Sequence, residues 1–85
     1  GGKGKPPPLP LDEEALQRFE SLKAWRAEVA REHNLPAYIV FHDASLAEMA
    51  RERPRSIDAL AGISGVGSKK LEAYGEQILR VLGGG

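Results

Sequence analysis

Apolar residues recur through most of the chain at spacings of three and four, the period of a helix with one buried stripe. The clearest run is Ala15, Phe19, Leu22, Trp25, Val29 and Ala30. Asp12 stands ahead of it as a cap, and Glu13 and Glu14 sit against the positive helix end. Asn34 and Pro36 stop the pattern, so a helix is predicted from about Asp12 to Glu32 or His33. Ala37 to Phe41 is a short apolar run with β-branched residues. A lone strand there would find no partner elsewhere in the sequence, so a short helical turn packed into the core is predicted. Ser45-Leu-Ala-Glu48 reads as a capping box, with Ser45 as N-cap of a helix that carries Leu46, Met49 and Ala50 and ends before Pro54. Ser56 caps a further short helix with Ile57, Leu60 and Ala61 turned inward. The last helix starts near Ser68, and Leu71, Tyr74, Ile78, Val81 and Leu82 form its buried stripe. The expected fold is all-α, a compact bundle of about five helices with short connections.

The ends lack this periodicity. Residues 1–10, with Pro6-Pro-Pro8 among glycines and lysines, read as a flexible Gly/Pro-rich linker whose proline run is extended. A proline run is also a ligand for aromatic-groove domains, but such compositions are commoner in linkers. The helical domain then covers residues 11–82, and residues 83–85 are a glycine tail.

Composition narrows the function. A chain of 85 residues is one small domain, which buries only about 60–65% of its unfolded surface and has no room for a deep substrate cavity. There is no cysteine, hence no disulfide, thiolate zinc site or cysteine nucleophile. No apolar run approaches the roughly 18 residues that span a bilayer, so no membrane association is expected. The 12 basic and 12 acidic residues balance. Without Lys3 and Lys5 the helical portion has 10 basic against 12 acidic residues, a net of −2. A strongly basic nucleic-acid footprint is missing, and polyanion binding would need a local patch.

The stretch from Gly62 to Lys70, GISGVGSKK, offers such a patch. It is not a P-loop, because Ser68 and Lys69 follow Gly67 in inverted order and no strand precedes it. It is not a dinucleotide fingerprint either, since Lys70 occupies the third glycine position, and no cofactor is implied. What remains is a turn between two helices, similar to a helix-hairpin-helix. Gly65 and Gly67 can take positive φ, Val66 points inward and Ser68 caps the last helix. The free N–H groups there, with Lys69 and Lys70 beside them, would accept a phosphate. The plain alternative is a turn with two solvated lysines, and the turn alone does not separate the two.

The order of motifs along the chain adds a family resemblance. A Leu-x-x-Trp-Arg helix (Leu22, Trp25, Arg26) is followed by Leu35-Pro-Ala-Tyr-Ile-Val-Phe41, Asp43-Ala-Ser-Leu46 and Pro54. After these come Leu60-x-x-Ile63, Gly65-Val-Gly67, Lys70-Leu71, Tyr74-Gly75 and Ile78-Leu79. From about Leu11 to Leu82 the chain resembles the HRDC domain, the helicase-and-RNase-D C-terminal module. No single motif is specific, but the ordered set is. The resemblance implies a five-helix fold and a non-catalytic accessory domain of a RecQ-type DNA helicase, or less commonly of a ribonuclease D, serving DNA repair and recombination. It implies weak binding of single-stranded DNA in some members and protein contacts in others, with the helicase core as a partner. It implies a monomeric isolated domain working in the bacterial cytoplasm or a eukaryotic nucleus. The family's nucleic-acid surface maps onto Tyr38 and Lys70 here, with neighbouring basic residues. Tyr38 would stack a base; otherwise it is a core tyrosine. Lys69, Ser68 and the Gly65 and Gly67 amides join it, and Arg53 and Arg55 extend the patch. The run from Arg51 to Arg55 has a plainer reading as a solvated helix end.

The rival function is protein docking through the acidic residues Glu13, Glu20, Glu28 and Glu32, which the net −2 favours. Leu22 and Val29 lie near Arg26 at helical spacing, so its stem is expected to pack and its head to pair with a carboxylate. His33 and His42, with Glu32 and Asp43, match no zinc spacing, and no metal site is expected. Glu13 and Glu14 point to different helix faces, and no serine has a histidine-and-acid arrangement. No catalytic constellation is read.

Overall fold

The computed structural model describes residues 11–83. The expected linker at residues 1–10 and the last two glycines of the expected tail lie outside the described residues. Five helices follow in order: α1 Glu13–His33, α2 Ala37–Val40, α3 Asp43–Glu52, α4 Ile57–Ala61 and α5 Ser68–Leu82. The described residues contain no strand.

Local chemistry sets the limits of α1. The Asp12 carboxylate accepts the Ala15 N–H at 2.8 Å, and Glu13 and Glu14 occupy the first turn. At the other end Asn34 turns left-handed, with φ 56°. The Asn34 N–H then bonds to Arg31 O and the Leu35 N–H to Ala30 O, the paired closure that ends many helices. Pro36 cannot continue the helix and opens α2 instead.

Three side-chain contacts orient the bundle. Arg18 Nε donates to Ala50 O at 2.9 Å, and Arg26 Nη1 meets Asp43 Oδ1 at 2.7 Å. These contacts make α3 antiparallel to α1. Trp25 Nε1 donates to Gln77 Oε1 at 3.0 Å, while Glu14 and Gln17 share a cavity with Val81 and Leu82, so α5 also runs antiparallel to α1. The largest side chains sealed between these helices are Phe41, Leu22, Leu46, Met49, Leu60, Ile78 and Val40. Burying each contributes about 1.5–3 kcal/mol relative to exposure. Trp25, Phe41 and Tyr74 form an aromatic cluster, with Trp25 and Tyr74 edge-on at 5.7 Å.

This topology gives the domain two poles. The end of α1, α2 and the start of α5 lie at one. The start of α1, the end of α3 and the end of α5 lie at the other.

Three sequence expectations are corrected. Ser45 is no N-cap: α3 begins at Asp43 behind His42, so Ser45 falls within the first turn and is buried. Its hydroxyl donates to Ser64 O at 2.8 Å, across to the α4–α5 turn. Ser68 does not cap α5 either; Gly67 holds that position and Ser68 is the first helical residue. In α4 only Leu60 is buried, while Ile57 and Ala61 are exposed, because a helix of five residues can turn only one side to the core. The Ser56 hydroxyl does cap α4, accepting the Ala59 N–H at 3.1 Å.

Candidate nucleic-acid interface

The α4–α5 turn is built from its inward residues. Ile63 and Val66 are buried and anchor it. Gly65 takes φ +87°, a conformation that costs an L side chain energy, and its backbone lies against the Ser45 side chain. Gly67 has an ordinary φ of −80°, and the space where its Cβ would stand is open. No side chain caps α5. The amides of Ser68, Lys69 and Lys70 therefore have no acceptor among the described residues, at the positive end of a helix 15 residues long.

The two lysines of this turn diverge. Lys70 is half-buried and reaches back to α2, where its Nζ donates to Ile39 O at 3.1 Å and lies 5.1 Å from the centre of the Phe41 ring. Lys69 is exposed and lines an open groove with Ile57, Glu72 and Glu76. Adjacent helical residues stand about 100° apart, so the ammonium groups leave the helix in different directions.

Lys70 joins the turn to Tyr38. On α2, Val40 and the following Phe41 are buried, which leaves Tyr38 58% and Ile39 45% exposed. Tyr38 is therefore not a core tyrosine. The His42 ring stacks beside it at 6.1 Å. Leu35, 40% exposed, extends this apolar surface. That Ile39 faces outward was not readable in the sequence, because a four-residue helix has too short a pattern to show which side faces out.

Arg53 and Arg55 do not join this surface. They line a cavity with Leu79, Leu82 and Gly83. Twelve residues of α5 separate Lys70 from Leu82, about 18 Å along the axis. The structure thus gathers Tyr38, Lys70, Lys69, Ser68, Gly65 and Gly67 at one pole and places the two arginines at the other. Among the described residues no three His, Asp or Glu side chains come together as a metal site, and no helix is long and apolar enough to cross a membrane.

Known proteins share this sequence and fold. The family model for the HRDC domain matches residues 15–82. The ATP-dependent DNA helicase UvrD2 of Mycobacterium tuberculosis is 43% identical over 74 residues, which are 87% of this chain and 10% of that protein. The ATP-dependent DNA helicase RecQ of Haemophilus influenzae is 42% identical over 64 residues, 75% of this chain and again 10% of that protein. The chain thus spans about one tenth of the length of these relatives. Among solved structures, the third HRDC domain of D. radiodurans RecQ superposes with a TM-score of 0.81 at 35% identity, covering 85% of this chain and 95% of that one.

Proposed function

The chain belongs to the HRDC domain family, and from that premise we propose that it is a non-catalytic accessory domain of a DNA helicase, binding single-stranded DNA weakly and tuning substrate selection. A helicase of the RecQ type is the proposed parent, with the UvrD2 type standing beside it on sequence identity. The domain would act where that helicase meets DNA, in a bacterial cytoplasm or a eukaryotic nucleus.

One observation carries this reading: Tyr38 is exposed on α2 and the Lys70 ammonium bonds to the carbonyl of the next residue, Ile39, at the same pole as the amides without acceptors. A base stacked on Tyr38 leaves its phosphate within the field of Lys70 and the α5 amides. Stacking contributes about 1–3 kcal/mol per base. With two or three phosphates engaged, log affinity falls against log salt with a slope of about −1.4 to −2.1. Dissociation constants near ~100 μM are expected for the isolated domain. Tethering raises the effective concentration to roughly millimolar, so contacts this weak still guide the strand.

Titrating a labelled oligothymidylate into the protein and into Tyr38→Ala and Lys69→Ala variants tests the site. Equal affinity in all three would overturn it.

The acidic surface supports a second reading, docking of α1 on the helicase core. Glu13, Glu20, Glu28 and Glu32 are all exposed, and among the described residues only Glu20 of these has an ion pair, with Lys23 at 3.8 Å. At about 100° per residue, Glu13 and Glu20 share one side of the helix, and Glu28 and Glu32 share another. Chemical-shift mapping separates the readings: DNA should perturb the Tyr38 pole, and the core should perturb those glutamates.

A further inference from the structure

Arg53 closes α3 in the left-handed region, with φ 48° and ψ 62°. Glycine or asparagine takes that conformation at lower cost than arginine does. The side chain is placed by a backbone that would favour another residue. Arg53 stands between two cavities. On one side, about 350 Å³, Glu14 and Arg18 line the wall with it, so one carboxylate faces two guanidinium groups. On the other side, about 220 Å³, the lining is Arg53, Pro54, Arg55, Leu79, Leu82 and Gly83, with no carboxylate among the described residues. Neither Arg53 nor Arg55 makes an ion pair or a side-chain hydrogen bond to the described residues. The end of α5 is closed by the Gly83 N–H, which bonds to Leu79 O at 3.0 Å. Pro54 and Leu82 are buried and give this cavity apolar lining beside the two arginines.

We propose that this α3–α4 elbow is a docking site for an acidic peptide. A carboxylate of the peptide pairs with Arg53 and Arg55, and an adjacent aliphatic side chain rests on Pro54, Leu79 and Leu82. Guanidinium forks match carboxylate geometry. A phosphodiester strand would satisfy the arginines as well. It has no aliphatic group to cover the apolar lining, and no aromatic side chain lines this cavity to stack its bases. The elbow lies at the pole away from Tyr38, so peptide and DNA can be held together. The inference stands on Arg53 and its cavity and does not depend on the DNA reading.

The test is chemical-shift mapping on the whole chain with a peptide of alternating glutamate and leucine, then with oligothymidylate. The peptide should move the amides of Arg53, Arg55, Leu79, Leu82 and Gly83 and leave Tyr38 in place. Arg53→Gly should weaken the peptide about tenfold, the effect of one lost charge-assisted hydrogen bond. Its unfolding midpoint should hold, because glycine suits the backbone there. Arg55→Ala should weaken the peptide to a similar degree. Full peptide affinity in either variant would overturn the proposal. So would oligothymidylate shifts at the elbow that match or exceed those from the peptide. Absence of DNA shifts at Tyr38 bears on the DNA reading alone.

Discussion

The Ser45 hydroxyl fills the space that a Cβ on Gly65 would need, and the same hydroxyl donates to the carbonyl of Ser64. Helix α3 therefore holds the α4–α5 turn by packing against the one residue in it with positive φ. Gly65→Ala meets both obstacles, a left-handed alanine and a collision. It is expected to cost about 2–4 kcal/mol. Gly67→Ala meets neither and should stay within about 0.5 kcal/mol of the parent. Urea unfolding of the two variants checks the contrast. Equal costs would mean that Ser45 does not hold the turn.

Lys70 is expected to have two jobs where Lys69 has one. Its ammonium ties α5 to the Ile39 carbonyl and sits by the Phe41 ring, so Lys70→Ala should lower stability by about 1–2 kcal/mol as well as weaken DNA. Lys69→Ala, at an exposed position in the first helical turn, should weaken DNA with little or no loss of stability. Melting curves beside DNA titrations give both quantities for each variant. A stability loss confined to Lys69→Ala would contradict this division.

Arg26 is the buried charged group among the described residues. It is 9% exposed, and its Nη1 bonds to Phe41 O at 2.8 Å and to Asp43 Oδ1, while its Nε has no partner among the described residues. Arg26→Ala removes the packed stem and strands the Phe41 carbonyl, at an expected cost of about 3 kcal/mol. Arg26→Met keeps the stem and removes the desolvated charge, so it should cost less, about 1–2 kcal/mol. Asp43 is mostly exposed, and Asp43→Asn should cost no more than about 1 kcal/mol. Denaturant unfolding should rank the three as Ala, Met, Asn from most to least destabilised. A different order would show that charge, more than packing, sets the role of Arg26.

Local chemistry was legible in the sequence, and contacts across the chain were not. The limits of α1 follow from Asp12, Asn34 and Pro36, each acting on its own neighbours. The pairing of Arg26 with a carboxylate was readable from apolar neighbours at helical spacing. Ser-Leu-Ala-Glu fits a capping box wherever it occurs, so the sequence alone points Ser45 to a cap. What decided its role was Ser64, 19 residues away. The candidate site was legible in its turn and in Tyr38 as a proposal. The separation of Arg53 and Arg55 from that site was hidden, because it depends on α3 running back along α1 toward the end of α5.

The unoccupied start of α5 gives a final expectation. Gly67 caps this helix without a side chain, and nothing stands within 4 Å of its Cβ position. Gly67→Asp would place a carboxylate there to accept the first-turn amides. The gain in stability should be about 0.5–1 kcal/mol, from one new cap and a favourable charge at the positive helix end. The same carboxylate would occupy the donors proposed for a DNA phosphate and repel it. Stability and affinity should therefore move in opposite directions in one variant. Thermal melting with an oligothymidylate titration measures the pair. A variant that is more stable and binds DNA as well as the parent would show that phosphates do not reach these amides, leaving Tyr38 and the lysines to carry the contact.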